Sequence, residues 1–133
     1  MFGLKAMRRA ALAAAIIALA GPVAAQAPGL AMLGTLTPGS WELRSRSDGS
    51  RSTICLRTGR ELIQLRHRQA DCTSYVVQDE PNEVVVQYSC RGDGYGRTSI
   101  RRESAGLVQF HSQGSQGGAP FVIAGEARRV GNC

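Results

Sequence analysis

The fold is decided by residues 72–103, which read CTSYVVQDEPNEVVVQYSCRGDGYGRTSIRRE. The turn-forming residues Glu80, Pro81 and Asn82 lie midway between Cys72 and Cys90. A chain that reverses at this point forms an antiparallel hairpin, 72–78 against 84–90, and brings the two cysteines face to face on neighbouring strands.

The register of this hairpin follows from its turn, and it pairs Tyr75 with Gln87 and Val77 with Val85. Side chains alternate between the two faces of a strand, so one face is predicted to meet the core. That face carries Cys72, Ser74, Val76, Val84, Val86, Tyr88 and Cys90. Residues 91–94 (RGDG) tolerate positive φ and turn the chain into a third, polar strand over 95–103.

Similar alternation and turn signals predict strands on both sides of the hairpin. The whole set is 40–46, 51–56, 72–78, 84–90, 95–103, 107–112 and 119–129. We expect a mainly β fold, an antiparallel meander of about seven strands that curls into a barrel or half-barrel. Thr58 followed by Glu61 resembles a capping box and predicts one short helix over 59–68, covering a sheet edge or an open barrel end.

The first residues have the organisation of a secretory signal peptide. Lys5, Arg8 and Arg9 precede an apolar run, and small residues lead to a predicted cleavage site between Ala25 and Gln26. The run is shorter than the ~20 residues that a membrane span needs, so we expect no span after cleavage. The predicted organisation is a signal peptide (1–25), a flexible arm (26–36) and one β domain (37–133) in a periplasmic or secreted protein.

Four cysteines follow the leader, and an even number in a small exported domain predicts disulfides. Three pairings are possible. The hairpin register favours Cys72 with Cys90, which leaves Cys55 with Cys133. These cysteines lack the close paired spacing of zinc sites, so we expect no metal.

The net charge of +6 is spread along the chain rather than gathered in a basic run. This distribution argues against a nucleic-acid binder. Arg91, Arg97 and Arg101 form a possible patch for lipid phosphates or an acidic partner, with an ordinary solvated face as the alternative. Trp41 is a further candidate for the binding patch, or a core anchor.

The sequence contains no recognisable catalytic set. His67 lies between Arg66 and Arg68 and is expected to be neutral and exposed, while His111 stands alone on a strand. Residues 92–98 have the glycines of a phosphate loop but connect two strands, so we interpret them as a turn. We therefore expect no catalytic residues, no cofactor and no enzymatic activity.

Several stretches of the exported part point to one family. They are residues 38–42 (PGSWE), 55–56 (CL), the block 88–98 and residues 126–129 (EARR). In these stretches the chain resembles the small exported proteobacterial proteins of the domain-of-unknown-function 3617 family. The resemblance implies export and a β-rich fold, and it brings no catalytic residues.

Two shorter resemblances imply functions. Gly39-Ser40-Trp41 is similar to the Gly-x-Trp start of lipocalin-like barrels, in which an arginine from a late strand lies against the tryptophan. In this chain, the resemblance implies that role for Arg128 or Arg129. Residues 88–92 (YSCRG) are similar to an element of periplasmic C-type lysozyme inhibitors. The expected function is that of a monomeric, non-catalytic binding module. One alternative is a carrier of a small apolar ligand or lipid. The other is a periplasmic inhibitor or interaction module, which would contact its partner through a glycine loop at 92–96 or 114–118.

Overall fold

The computed structural model describes residues 29–133, so the predicted signal peptide lies outside the described residues. The described residues form one antiparallel sheet of seven strands. The strands are β1 (Gly39–Ser45), β2 (Arg51–Leu56), β3 (Cys72–Asp79), β4 (Glu83–Cys90), β5 (Gly94–Ser104), β6 (Leu107–Gln116) and β7 (Ala119–Gly131). Their order across the sheet is β2-β1-β7-β6-β5-β4-β3. The predicted seven-stranded antiparallel fold is confirmed.

The central hairpin is formed by β3 and β4. Cys72 lies opposite Cys90, as predicted. Further along, the register shifts by one residue, and Gln78 rather than Val77 lies opposite Val85. The predicted pairing of Val77 with Val85 is wrong because a β-bulge places one extra residue in β3 at this point.

One face of the sheet, which we call the inner face, carries the hydrophobic core. Its buried side chains are Trp41, Leu43, Val84, Val86, Tyr88, Ile100, Val108, Phe110 and Ala127. These residues recur at every second position of their strands, as a half-buried sheet requires. The opposite face, which we call the outer face, carries most of the charged side chains.

The sheet does not close. β1 pairs with β7, while β2 and β3 are its two edges, so the half-barrel rather than the closed barrel is formed. Residues 57–71 connect these edges and cross the gap between them. Leu62, Ile63 and His67 of this connection are buried against the inner face.

The predicted helix over 59–68 is wrong. Only Arg60–Leu62 is helical, as a single 3-10 turn. In an α-helix the Ile63 carbonyl would accept the His67 N–H. Here the Thr98 hydroxyl donates to that carbonyl at 2.6 Å, and the His67 N–H donates to the Gln64 carbonyl at 3.2 Å. A partner from a distant strand therefore ends the helix.

The predicted flexible arm over 26–36 is wrong for the part that the structure describes, which begins at residue 29. Leu30, Met32, Leu33 and Leu36 are buried in the core, and residues 33–35 form a 3-10 turn. Four apolar side chains in seven residues stabilise this segment at the end of the half-barrel where β2 ends. Residues 26–28 lie outside the described residues.

Both predicted disulfides are present. Cys72 and Cys90 join β3 to β4 with a Cα–Cα distance of 4.1 Å. Cys55 and Cys133 join β2 to the residues beyond β7 across the start of β1, with a Cα–Cα distance of 5.7 Å. These bonds suggest folding in an oxidising compartment.

Candidate functional site on the outer face of the sheet

The structure separates the residues of the predicted binding patch. Arg97 and Arg101 lie on the outer face of β5, and Arg91 lies in the turn between β4 and β5. Trp41 is fully buried on the inner face, where its Nε1 donates to the Thr37 carbonyl at 2.9 Å. Arg97 and Arg101 are four strand residues apart, or about 13 Å. The four residues therefore do not form one site.

The outer face has a charged half, near the turns that join β3 to β4 and β5 to β6. Glu83 lies opposite Arg101, Glu126 opposite Arg44, and Glu42 opposite Arg128. Ion pairs of 3.4–4.0 Å link its acidic and basic side chains. They are Arg44 with Glu42, Arg51 with Glu42, Arg101 with Glu103, and Arg128 with Glu126. Arg101 is thus an ordinary member of a solvated charge network, and each exposed pair contributes about 0–1 kcal/mol.

The other half of the outer face is aromatic and rich in amides. One row across five strands pairs Tyr75 with Gln87, Gln87 with Arg97, Arg97 with Gln113, and Gln113 with Val122. Tyr95 lies two residues from Arg97 on the same face of β5. We call this set the tyrosine patch; its members are Tyr75, Gln87, Tyr95, Arg97, Gln113 and Val122.

The tyrosine patch exposes apolar surface. Tyr75 is 59% exposed, Tyr95 53% and Val122 59%. A groove of about 440 Å³ runs between the two tyrosines, with Gln87 and Ser89 among the residues that line it. A second groove of about 340 Å³ lies between Tyr95 and Val122. The patch therefore offers two adjoining grooves that share Tyr95 and Gln87.

Arg97 is the cation of the tyrosine patch. Within residues 29–133, no carboxylate lies within 4.0 Å of its guanidinium group. Its cross-strand neighbours are the amides Gln87 and Gln113, and its side chain lines the second groove. Glu83 lines a neighbouring groove with Arg97 but bonds to the Ser99 hydroxyl, so the guanidinium group is available for bidentate binding of a carboxylate or phosphate.

The glycine turns between β4 and β5 and between β6 and β7 lie at the same end of the sheet as the tyrosine patch. The Gly117 N–H donates to the Asp93 carbonyl at 3.2 Å, which joins the two turns. Gly92, Gly117 and Gly118 have positive φ values of 77°, 57° and 82°. The two turns therefore extend the rim of the patch beyond Tyr95.

A buried polar network on the inner face was not predicted, and the expectation that His67 is exposed is wrong. His67 is 1% exposed, and its Nδ1 lies 2.9 Å from the Tyr88 hydroxyl. Its Nε2 lies 3.1 Å from the carbonyl oxygens of Asp93 and Ser115. Because carbonyl oxygens only accept, Nε2 carries the hydrogen, and in this tautomer Nδ1 accepts a hydrogen bond from the Tyr88 hydroxyl.

This network fixes the 57–71 connection to the sheet. The Thr98 hydroxyl donates to the Ile63 carbonyl and accepts a hydrogen bond of 2.8 Å from Ser112. Tyr88 lies over Gly96 on the neighbouring strand, where a Cβ would collide with the tyrosine ring. Burial raises the pKa of the Tyr88 phenol. The signal that the sequence offered was the glycine at position 96, which leaves room for the Tyr88 ring above the sheet.

The described residues offer no metal site, because no three histidine, cysteine, aspartate or glutamate side chains among them are grouped to bind an ion. His111 is exposed on β6, away from His67. No helix in the described part of the chain is long and apolar enough to cross a membrane.

Fold and surface together define a small disulfide-bonded β protein with a filled interior and an aromatic patch on its outer face. Residues 36–133 match the model of a family described as a protein of unknown function, DUF3617. The chain therefore belongs to the DUF3617 family, as its sequence motifs indicated. No curated protein and no solved structure matches the chain.

Proposed function

We propose that the chain is an exported, non-catalytic binding protein that recognises an acidic segment of a partner protein through the tyrosine patch. The observation that carries this proposal is the contrast within the outer face. Its charged half is paired internally, whereas the tyrosine patch presents two exposed tyrosines beside an arginine that forms no ion pair within residues 29–133. Tyrosine and arginine are enriched among the residues that contribute most to protein interfaces.

The filled inner face favours recognition on the outside over transport of a ligand inside. Arg129 lies opposite Trp41 in the pairing of β1 with β7, as the lipocalin-like resemblance implies, and its Nε donates to the Pro38 carbonyl at 2.9 Å. Large side chains nevertheless occupy the interior. The cavity at the mouth of the half-barrel, between Phe110 and Arg66, has a volume of about 270 Å³. Ligand sites for small molecules usually span 300–1,000 Å³.

His67 and the four cysteines have structural partners, which supports a non-catalytic role. Both ring nitrogens of His67 are engaged, and all four cysteines are in disulfides. Export is supported by the leader-like residues 1–25 and by these disulfides, which persist in oxidising compartments.

The proposal is tested by photo-cross-linking in the periplasm of the native cells. A photo-cross-linking amino acid at position 122 lies at the edge of the tyrosine patch, and the same amino acid at Val130 provides a control with equal exposure, 59% against 58%. We expect a discrete protein adduct from position 122 that position 130 does not give. The Arg97→Glu substitution should reduce this adduct at least fivefold, because it repels an acidic partner.

Arg101→Glu is the matched control, since it changes the same charge on the same strand but lies in the charged half. We expect it to leave the adduct within twofold of the unsubstituted level. The N-terminus of the periplasmic protein, measured by mass spectrometry, is expected at Gln26. Equal adducts from positions 122 and 130, or equal loss with both arginine substitutions, would contradict recognition by the patch.

A further inference from the structure

The two edges of the sheet run in the same direction. Neighbouring strands in the order β2-β1-β7-β6-β5-β4-β3 are all antiparallel, and there are seven of them. With an odd number of strands, β2 and β3 are parallel to each other. They cannot complete an antiparallel barrel by pairing together. One additional strand, antiparallel to both, would give the eight strands of an up-and-down barrel.

The hydrogen-bond pattern shows which backbone groups of β2 are unpaired. The Ser45 N–H donates to the Ser50 carbonyl at 2.9 Å, and the pairing of β1 with β2 continues without a shift. Hydrogen-bonded pairs alternate along an antiparallel ladder, so Ser52 and Ile54 bond to β1. The N–H and C=O groups of the alternate residues, including Thr53 and Cys55, point away from β1 into the gap.

The gap beside β2 contains a groove. It has a volume of about 450 Å³ and is lined by Thr53, Ile54, Cys55, Arg60, Glu61, Gln64, His67, Arg68 and Gln69. Within the described residues, no hydrogen bond joins the 57–71 connection to the backbone of Thr53 or Cys55. The connection therefore crosses the gap without taking the place of a strand on β2.

The connection is held back from β2 by its contacts with the opposite strands. His67 is bonded to Tyr88 of β4 and to the Ser115 carbonyl of β6, and the Arg66 carbonyl accepts a 2.8 Å hydrogen bond from Gln116. These bonds anchor the connection to the inner face. The groove is consequently formed before any occupant arrives.

The charges of the groove favour an acidic occupant. Arg60 and Arg68 line it, and within residues 29–133 neither guanidinium lies within 4.0 Å of a carboxylate. Glu61 also lines it, but its carboxylate accepts the N–H groups of Arg57 and Thr58 at 3.0 and 3.1 Å. Burial raises the pKa of Glu61, yet the backbone donors outweigh it, and the net pKa is lowered.

We infer that the free edge of β2 is an acceptor for an extended acidic peptide segment, which binds as an additional strand antiparallel to β2. The segment would bond to the outward backbone groups of Thr53 and Cys55 and place acidic side chains against Arg60 and Arg68. Addition of a strand to a sheet edge derives affinity from main-chain hydrogen bonds and specificity from side-chain contacts. This site is separate from the tyrosine patch and does not depend on it.

The test uses a synthetic octapeptide in which glutamate alternates with valine, added to the ¹⁵N-labelled mature protein. Hydrogen exchange of individual amides is followed by NMR with and without millimolar peptide. We expect exchange at Thr53 and Cys55 to slow at least tenfold, while exchange at Ile100 on the central strand β5 is unchanged. A peptide with an N-methyl group on every residue keeps the same side chains but loses all its backbone donors, and its methyl groups prevent close approach to β2, so it should give no protection.

Two protein variants complete the test. Replacing both groove arginines, Arg60→Gln with Arg68→Gln, should weaken peptide binding about tenfold, in keeping with two exposed ion pairs. Arg101→Gln, which lies in the charged half of the outer face, should leave it unchanged. Absence of protection at Thr53 and Cys55, equal binding by the N-methylated peptide, or equal binding by the double arginine variant would overturn the inference.

Discussion

Tyr88 shows how one buried side chain connects packing with pH dependence. Its ring covers Gly96, and its hydroxyl holds the His67 ring that anchors the 57–71 connection. A phenol in such a place must stay protonated, because an anion there would lose its hydration and confront a lone pair of Nδ1. The pKa of Tyr88 is accordingly raised.

The first prediction concerns alkaline unfolding. A phenol with a raised folded-state pKa contributes stability that is fully present below the unfolded value, about 10, and is lost as pH rises through the folded value. Absorbance of tyrosinate should therefore show a late step, above the unfolded value, in which Tyr88 ionises as the protein unfolds.

Tyr88→Phe provides the control for this prediction. It should remove the late titration step and cost about 1–2 kcal/mol at neutral pH, because it leaves Nδ1 of His67 without its donor. A late step that persists in Tyr88→Phe, or that occurs in the parent protein without unfolding, would contradict the burial of Tyr88.

At the level of elements, the strands were predictable from the sequence and the connections between them were not. Alternating side chains and glycine turns are local signals, and they located all seven strands. The predicted helix over 59–68 depends on an interaction that is not local. Thr98 lies on a distant strand, and its hydroxyl donates to the Ile63 carbonyl, so the helix does not form. The burial of His67 could not be predicted for the same reason, because its partners lie on strands that are distant in sequence. Its flanking arginines instead suggested an exposed position.

The candidate site was predictable only in part, for the same reason. The arginines of β5 were identified, but the sequence did not distinguish Arg97 from Arg101, because their difference lies in the neighbours that the register supplies. Gln87 and Gln113 flank Arg97, whereas Glu83 lies opposite Arg101. Trp41 was a candidate for the patch or for a core anchor, and its strand turns it to the inner face, where it is a core anchor.

The segment before β1 gives the second prediction, since it belongs to the core rather than to a mobile arm. Leu33 is 2% exposed and contacts Gly59 at the start of the 57–71 connection. Leu33→Ala should lower the free energy of unfolding by about 2–5 kcal/mol, as for other buried leucines. Gly34→Ala is the matched control, because a Cβ there meets no atom within 4 Å. Urea unfolding that shows equal stability for both variants would place Leu33 outside the core.

In the whole molecule, the two disulfides stabilise an open sheet at different places. Cys72–Cys90 closes a short stretch of chain within one hairpin, with a sequence separation of 18. Cys55–Cys133 has a separation of 78 and ties the edge strand β2 to the end of the chain. An edge strand has one partner strand instead of two, so β2 depends more on its covalent link than a central strand would.

The third prediction follows from this difference. By the loss of chain entropy in the unfolded state, Cys55→Ala with Cys133→Ala should cost about 4 kcal/mol, and Cys72→Ala with Cys90→Ala about 3 kcal/mol, plus the packing of the buried Cys90. The global costs are similar, but the local effects should differ. Hydrogen exchange in the first variant should accelerate most at Ser52 and Ile54, which bond β2 to β1, and in the second at β3. Uniform acceleration across the sheet in both variants would show that the edges are no weaker than the centre, and that β2 keeps its position without the bond to Cys133.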